Sequence, residues 1–106
     1  DGFAPVERLH ERGIRICVGS DSNVRIDPLE ELRELEGIAR RRSLRRNVIA
    51  PELLLLMGSA EGAASLDLAG WGTLEVDLGH PALARVAIEE VPAALVFGCG
   101  ADVVSA

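Results

Sequence analysis

The sequence predicts an α/β protein, and three observations carry that prediction. A short helical pattern from Pro5 to Arg12 is closed by Gly13, as a glycine just past a helix end would close it. The next five residues, Ile14-Arg15-Ile16-Cys17-Val18, are mostly apolar with little alternation, which suits a strand buried on both faces of a parallel sheet. A polar cluster, Gly19-Ser20-Asp21-Ser22-Asn23, then stands at the end of that strand, where α/β proteins place their chemistry.

Asp27-Pro28-Leu29-Glu30 announces a second helix with a capping acid, proline at the first helical position and the glutamate of a capping box. Leu29, Leu32, Leu35 and Ile38 recur every three residues, giving one apolar stripe. Glu31, Arg33, Glu34 and Glu36 are expected to face elsewhere. The basic run Arg40 to Arg46 follows an acidic first half, an order that complements the helix dipole and reads as a solvated helix end. Glu52 to Leu66 reads as one packing helix, with Gly58 and Gly62 allowing close approach of a neighbour. From Gly70 onward, Thr73 to Val76, Pro81 to Val86 and Ala94 to Phe97 read as short strands or turns.

Composition narrows the function classes. With 106 residues, one modest domain or a piece of one is expected. A hydrophobic share of 48% against 26% charged residues is that of a packed chain rather than a disordered one. The net charge of -6, the absence of Tyr and a single Trp argue against nucleic-acid binding, which calls for a basic face and stacking platforms. No apolar stretch approaches the roughly 20 residues of a membrane span, and the opening residues resemble no secretory signal, so a cytoplasmic protein that does not enter membranes is expected. Cys17 and Cys99 have neither redox nor metal-knuckle spacing, and both are expected to be buried thiols.

Asp21 is the residue with chemical potential. A carboxylate just past a buried strand can ligate a metal or take a proton from water; equally, it can cap its own turn by accepting backbone N–H bonds. Spacing alone leaves both readings open.

Gly19-Ser20-Asp21-Ser22-Asn23-Val24, followed by Asp27-Pro28-Leu29-Glu30-Glu31-Leu32-Arg33 and the arginine-rich stretch to Asn47, resembles the eighth-strand region of formimidoylglutamate deiminases of the amidohydrolase superfamily. Weaker similarity continues at Asp77-Leu78-Gly79-His80-Pro81-Ala82-Leu83-Ala84, at Ala94-Leu95-Val96-Phe97 and at Ala101-Asp102-Val103-Val104. The resemblance implies the C-terminal fragment of a (β/α)8 TIM-type barrel, with residues 1–69 supplying the last barrel strand and its helices and residues 70–106 part of a small β-sandwich domain. It implies that Asp21 is both a metal ligand and the catalytic proton shuttle of a zinc-dependent hydrolase. The reaction would be deimination of N-formimidoyl-L-glutamate to N-formyl-L-glutamate and ammonia, a step of histidine catabolism on a small-molecule substrate, in a parent protein expected to be a homo-oligomer. Another amidohydrolase-superfamily deaminase, or a non-catalytic interaction module using the Leu29 to Ile38 stripe, are the alternatives.

The chain departs from the family in its histidines. His10 and His80 match none of the family's metal-binding positions, so those ligands are expected outside this chain. Asp77 also follows Val76 directly, where the family carries a further strand.

Overall fold

The computed structural model describes residues 2–68, 70 and 72–105. Its longest element is the helix Pro28–Ser43 (α2), with Val6–Glu11 (α1) before it and Pro51–Met57 (α3), Ala60–Ser65 (α4) and Val91–Gly98 (α5) after it. Glu75–Val76 (β1) and Val104–Ser105 (β2) form a two-stranded antiparallel sheet, with Glu75 opposite Ser105 and Val76 opposite Val104.

Helix α2 starts where its sequence says it should. Asp27 is extended (φ -140°, ψ 103°), and its Oδ1 accepts hydrogen bonds from the backbone N–H of Leu29 at 3.0 Å and of Glu30 at 3.3 Å. Pro28 at the first helical position forfeits no internal hydrogen bond. The helix ends at Leu44, a left-handed residue (φ 57°) whose N–H bonds to the Arg40 carbonyl.

The buried side of α2 is Leu29, Leu32, Glu36 and Ala39, while Leu35 and Ile38 are half-buried. Glu36 is thus a correction to the stripe read from apolar residues alone. Its carboxylate is fully buried yet accepts from three donors. Oε1 accepts from Arg40 Nε and from the Val48 N–H, both at 2.9 Å, and Oε2 accepts from the Ile49 N–H at 2.9 Å. The Arg40 guanidinium lies 4.5 Å from the ring centroid of Phe97 on α5, so one charged pair joins α2, α5 and the turn into α3.

Two apolar clusters flank this centre. Val6, Leu32, Ala39, Ile49, Leu54, Met57 and Val96 form one; Leu29, Leu83, Leu95, Cys99 and Val103 form the other. Helix α5 serves both, so residues before and after position 69, itself outside the described residues, share their cores. Leu29 and Leu32 are covered within the chain, while Leu35 and Ile38 keep part of their surface. Exposed apolar residues lie elsewhere, among them Val24, Ile26, Leu44 and Leu74.

Several local expectations change. Ile14 to Val18 carries no regular structure and no sheet partner among the described residues, since a parallel strand needs neighbours and the only sheet present is β1–β2. Cys17 is accordingly exposed, while Cys99 is buried as expected. Residues 52–66 split into α3 and α4 at Gly58 and Ser59. Ala94 to Phe97 lies inside α5, where Pro92 occupies the first turn and Arg33 caps the far end, its Nε donating to the Val96 carbonyl at 2.7 Å and its Nη2 to the Cys99 carbonyl. No helix among the described residues is long and apolar enough to cross a membrane.

Two substitutions test this packing. A Cβ at Gly58 would sit 2.8 Å from Cδ1 of Leu32, whose side chain is buried, so Gly58→Ala should lower stability by about 1–3 kcal/mol in urea melts, as overpacking does. Glu36→Gln must turn an NH2 group toward a backbone N–H whichever way the amide is oriented, and should cost about 1–3 kcal/mol through that unmatched donor.

Candidate functional site around Asp21

The segment leading to Asp21 is held by side chains rather than by a backbone ladder. After Ile14 N–H bonds to the Leu9 carbonyl at 3.1 Å, no backbone hydrogen bond recurs among the described residues until Asn23 N–H meets the Ser20 carbonyl at 2.9 Å. In between, the segment lies along α4. Cys17 Sγ donates to Ser65 Oγ at 3.7 Å, and Arg15 Nε approaches Glu61 Oε2 at 3.5 Å, an ion pair whose geometry falls short of a hydrogen bond.

Asp21 sits in the turn closed by Ser20 and Asn23, with φ at 48°. A left-handed backbone at a residue with a Cβ costs about 1–2 kcal/mol, and aspartate is among the residues that bear it best. The side chain is exposed, and its carboxylate accepts no hydrogen bond among the described residues. Two other aspartates behave differently: Asp27 caps α2, and Asp77 accepts the Gly79 N–H at 2.9 Å in an Asx turn. Of the two readings that spacing left open for Asp21, the capping one finds no bond in the structure.

Beyond the turn the chain is tied to α2. Asn23 Nδ2 donates to Glu31 Oε1 at 2.5 Å, and Arg25 Nε pairs with Glu30 Oε2 at 3.1 Å. These residues, with Val24 and Glu34, line a cleft between the loop and the first turns of α2. Sequence reasoning missed this pairing of Asn23 with Glu31; the amide and carboxylate eight residues apart were its only signal.

Asp27 anchors the other end of the loop. It is buried, and Oδ2 accepts the Ala101 N–H at 3.2 Å and lies 3.4 Å from Arg25 Nη2. Burial by itself pushes its carboxyl up, but the backbone N–H groups of Ala101, Glu30 and Leu29, together with the Arg25 charge, outweigh burial and hold it below the usual carboxylate range.

The histidines stand apart from Asp21 in role. His10 is exposed on α1. His80 Nδ1 accepts the Ala82 N–H at 3.1 Å and its Nε2 faces Asp102 Oδ2 at 3.2 Å, an arrangement that caps the turn Pro81–Leu83. Among the described residues no three His, Cys, Asp or Glu side chains converge as a metal site would require. Asp21 offers one carboxylate, and the donors among the described residues do not fit a catalytic metal by themselves.

Comparison with known proteins finds a similarity to a deaminase. The chain is 36% identical over 77 residues to the 5-methylthioadenosine/S-adenosylhomocysteine deaminase of Halalkalibacterium halodurans, a match covering 70% of this chain and 18% of that protein. No family model matches the chain, and no solved structure matches it. The similarity is therefore to a deaminase, over a stretch that is a minor part of that enzyme.

The state of Asp27 gives a pH prediction. Because its carboxyl is depressed in the folded protein, its contribution is present above the unfolded value of 3.8 and is lost as pH falls through the lower folded value. Urea melts of the wild type and Asp27→Ala should differ by about 1 kcal/mol at pH 7, with the difference shrinking below about pH 4. A difference that stays constant down to pH 2 would contradict the bonding described.

Proposed function

We propose that this chain is the Asp21-bearing segment of a metal-dependent hydrolytic deaminase of the amidohydrolase type, working as part of a longer polypeptide. The observation that carries the reading is the similarity to a deaminase across 77 residues. The exposed Asp21 carboxylate, accepting no hydrogen bond in its own turn, supports it by leaving that oxygen available for chemistry.

The reaction class is hydrolysis at an amidine-type carbon, one bonded to an amino group and to a second nitrogen. N-formimidoyl-L-glutamate, which the sequence resemblance implies, carries such a carbon in its formimino group. The adenine ring in the substrates named for the similar deaminase carries one at its amino-bearing position. In either case water adds to the carbon, the bond to the amino nitrogen breaks, and ammonia leaves while a C=O forms. The role for Asp21 is to accept the proton that water gives up and deliver it to the departing nitrogen, so the net reaction consumes one water and releases one ammonia. A divalent metal, with zinc the expected one, supplies activation of water in such enzymes, and its other ligands would come from outside this chain.

Between the two substrates, N-formimidoyl-L-glutamate is the one we favour, because the capped Glu-Glu-Leu-Arg helix, with Arg45-Arg46-Asn47 following it, is the more particular part of the resemblance. Ammonia release by the full-length polypeptide, assayed side by side on N-formimidoyl-L-glutamate and S-adenosylhomocysteine, discriminates them. Asp21→Asn should lower turnover at least about 10²-fold, the usual contribution of general acid–base catalysis, while Tm moves little. Near-normal turnover with Asn at this position would remove Asp21 from the mechanism.

A further inference from the structure

The geometry points to Glu31 as a positioning residue that holds the Asp21 turn in place through its hydrogen bond from Asn23. This inference rests on the catalytic reading of Asp21 given above and adds the element that aims it.

The case begins with what fails to hold the loop. Between the Ser20–Asn23 turn and the buried Asp27, Val24 and Ile26 are 101% and 74% exposed, so no apolar packing fixes the intervening backbone. Ser20, Asp21 and Ser22 make no side-chain hydrogen bond among the described residues, and the turn's one backbone bond, from Asn23 N–H to the Ser20 carbonyl, is internal to it. The upstream tethers, Cys17 to Ser65 and Arg15 to Glu61, end before the turn begins. The downstream pairing of Arg25 with Glu30 and Asp27 begins after it.

Asn23 is the exception. It stands in the turn itself, two residues from Asp21, and its amide donates to a carboxylate fixed on α2. Glu31 in turn lies in the first turns of a helix whose start is locked by Asp27 and whose middle is locked by Glu36, so it offers a rigid post. The turn carrying the left-handed Asp21 is closed by a single backbone hydrogen bond, so a restraint from outside it adds to what keeps it in one conformation. The carboxylate of Glu31 supplies it.

A general base works only within hydrogen-bond reach of its proton, and displacement by about 1 Å can cost on the order of 10²-fold. Loosening the tether should thus reduce the chemical step more than substrate binding. The test uses the full-length polypeptide and three variants: Glu31→Ala, Asn23→Asp, and Asn23→Asp combined with Glu31→Gln. The first removes the acceptor, the second sets two carboxylates against each other, and the double variant rebuilds the hydrogen bond with its polarity reversed. Both single variants should lower kcat by roughly tenfold or more with KM changed less than about threefold, and the double variant should recover most of that loss. Amide exchange of the peptide covering residues 19–24 should accelerate severalfold in the single variants and return toward wild type in the double. Single variants with wild-type kcat and wild-type exchange would overturn the inference, as would a double variant no better than either single. If Asp21→Asn keeps its turnover, the catalytic reading fails on its own, and exchange still decides whether Glu31 holds the turn.

Discussion

A buried carboxylate held by three hydrogen-bond donors is the constraint on which this fold depends. Glu36 lies at the middle of α2 with no exposure, and burying its charge is tolerable only because Arg40 and two backbone N–H groups surround it. The consequence extends past the pair. The donors from Val48 and Ile49 fix the turn that starts α3, and the Arg40 guanidinium on Phe97 brings α5 into the same arrangement. An aliphatic residue at position 36 would fill the space but would leave two N–H groups and the Arg40 Nε without their acceptor.

Asp27 extends the same logic to the N-terminal end of α2, and Arg33 to its neighbour α5. Asp27 satisfies the first free N–H groups of α2 and, through Ala101, draws in the C-terminal turn that precedes β2. Arg33 answers the last carbonyls of α5 with a cation, where the helix dipole favours one. Helix α2 is thereby a rigid rod fixed at its start and its centre, and the Asp21 loop hangs from that rod rather than from a sheet. Placement of the one candidate catalytic group therefore rests on Asn23, Glu31 and Asp27.

How much of this was legible in the sequence follows from the range of the interactions. The start of α2 was readable because its cap, proline and first-turn acids all lie within five residues, and Gly13 marked the end of α1 for the same reason. Helix α5 was not, because the run Ala94-Leu95-Val96-Phe97 has no period that separates a buried strand from a buried helix; the Arg33 cap that favours a helix comes from more than sixty residues away. Glu36 escaped because a stripe drawn through apolar positions passes over a glutamate whose partners lie at residues 48 and 49. Ile14 to Val18 has a strand's composition, but strand pairing is a property of neighbours, and none is present among the described residues. Asp21 was singled out by its place in the sequence, whereas its left-handed backbone and its uncapped carboxylate emerged only in the fold.

We propose that the run before Asp21, irregular in this chain, pairs as a strand with neighbours in the rest of a deaminase, which would set Asp21 at a catalytic edge. Amide hydrogen exchange of residues 15–18, compared between the 106-residue chain and the full-length polypeptide, tests this directly. The account predicts rapid exchange in the isolated chain, where these N–H groups find no backbone acceptor, and strong protection in the full-length protein, where strands on both sides would bond them. Equally rapid exchange in both would contradict it, since Asp21 would then follow a loop rather than a strand.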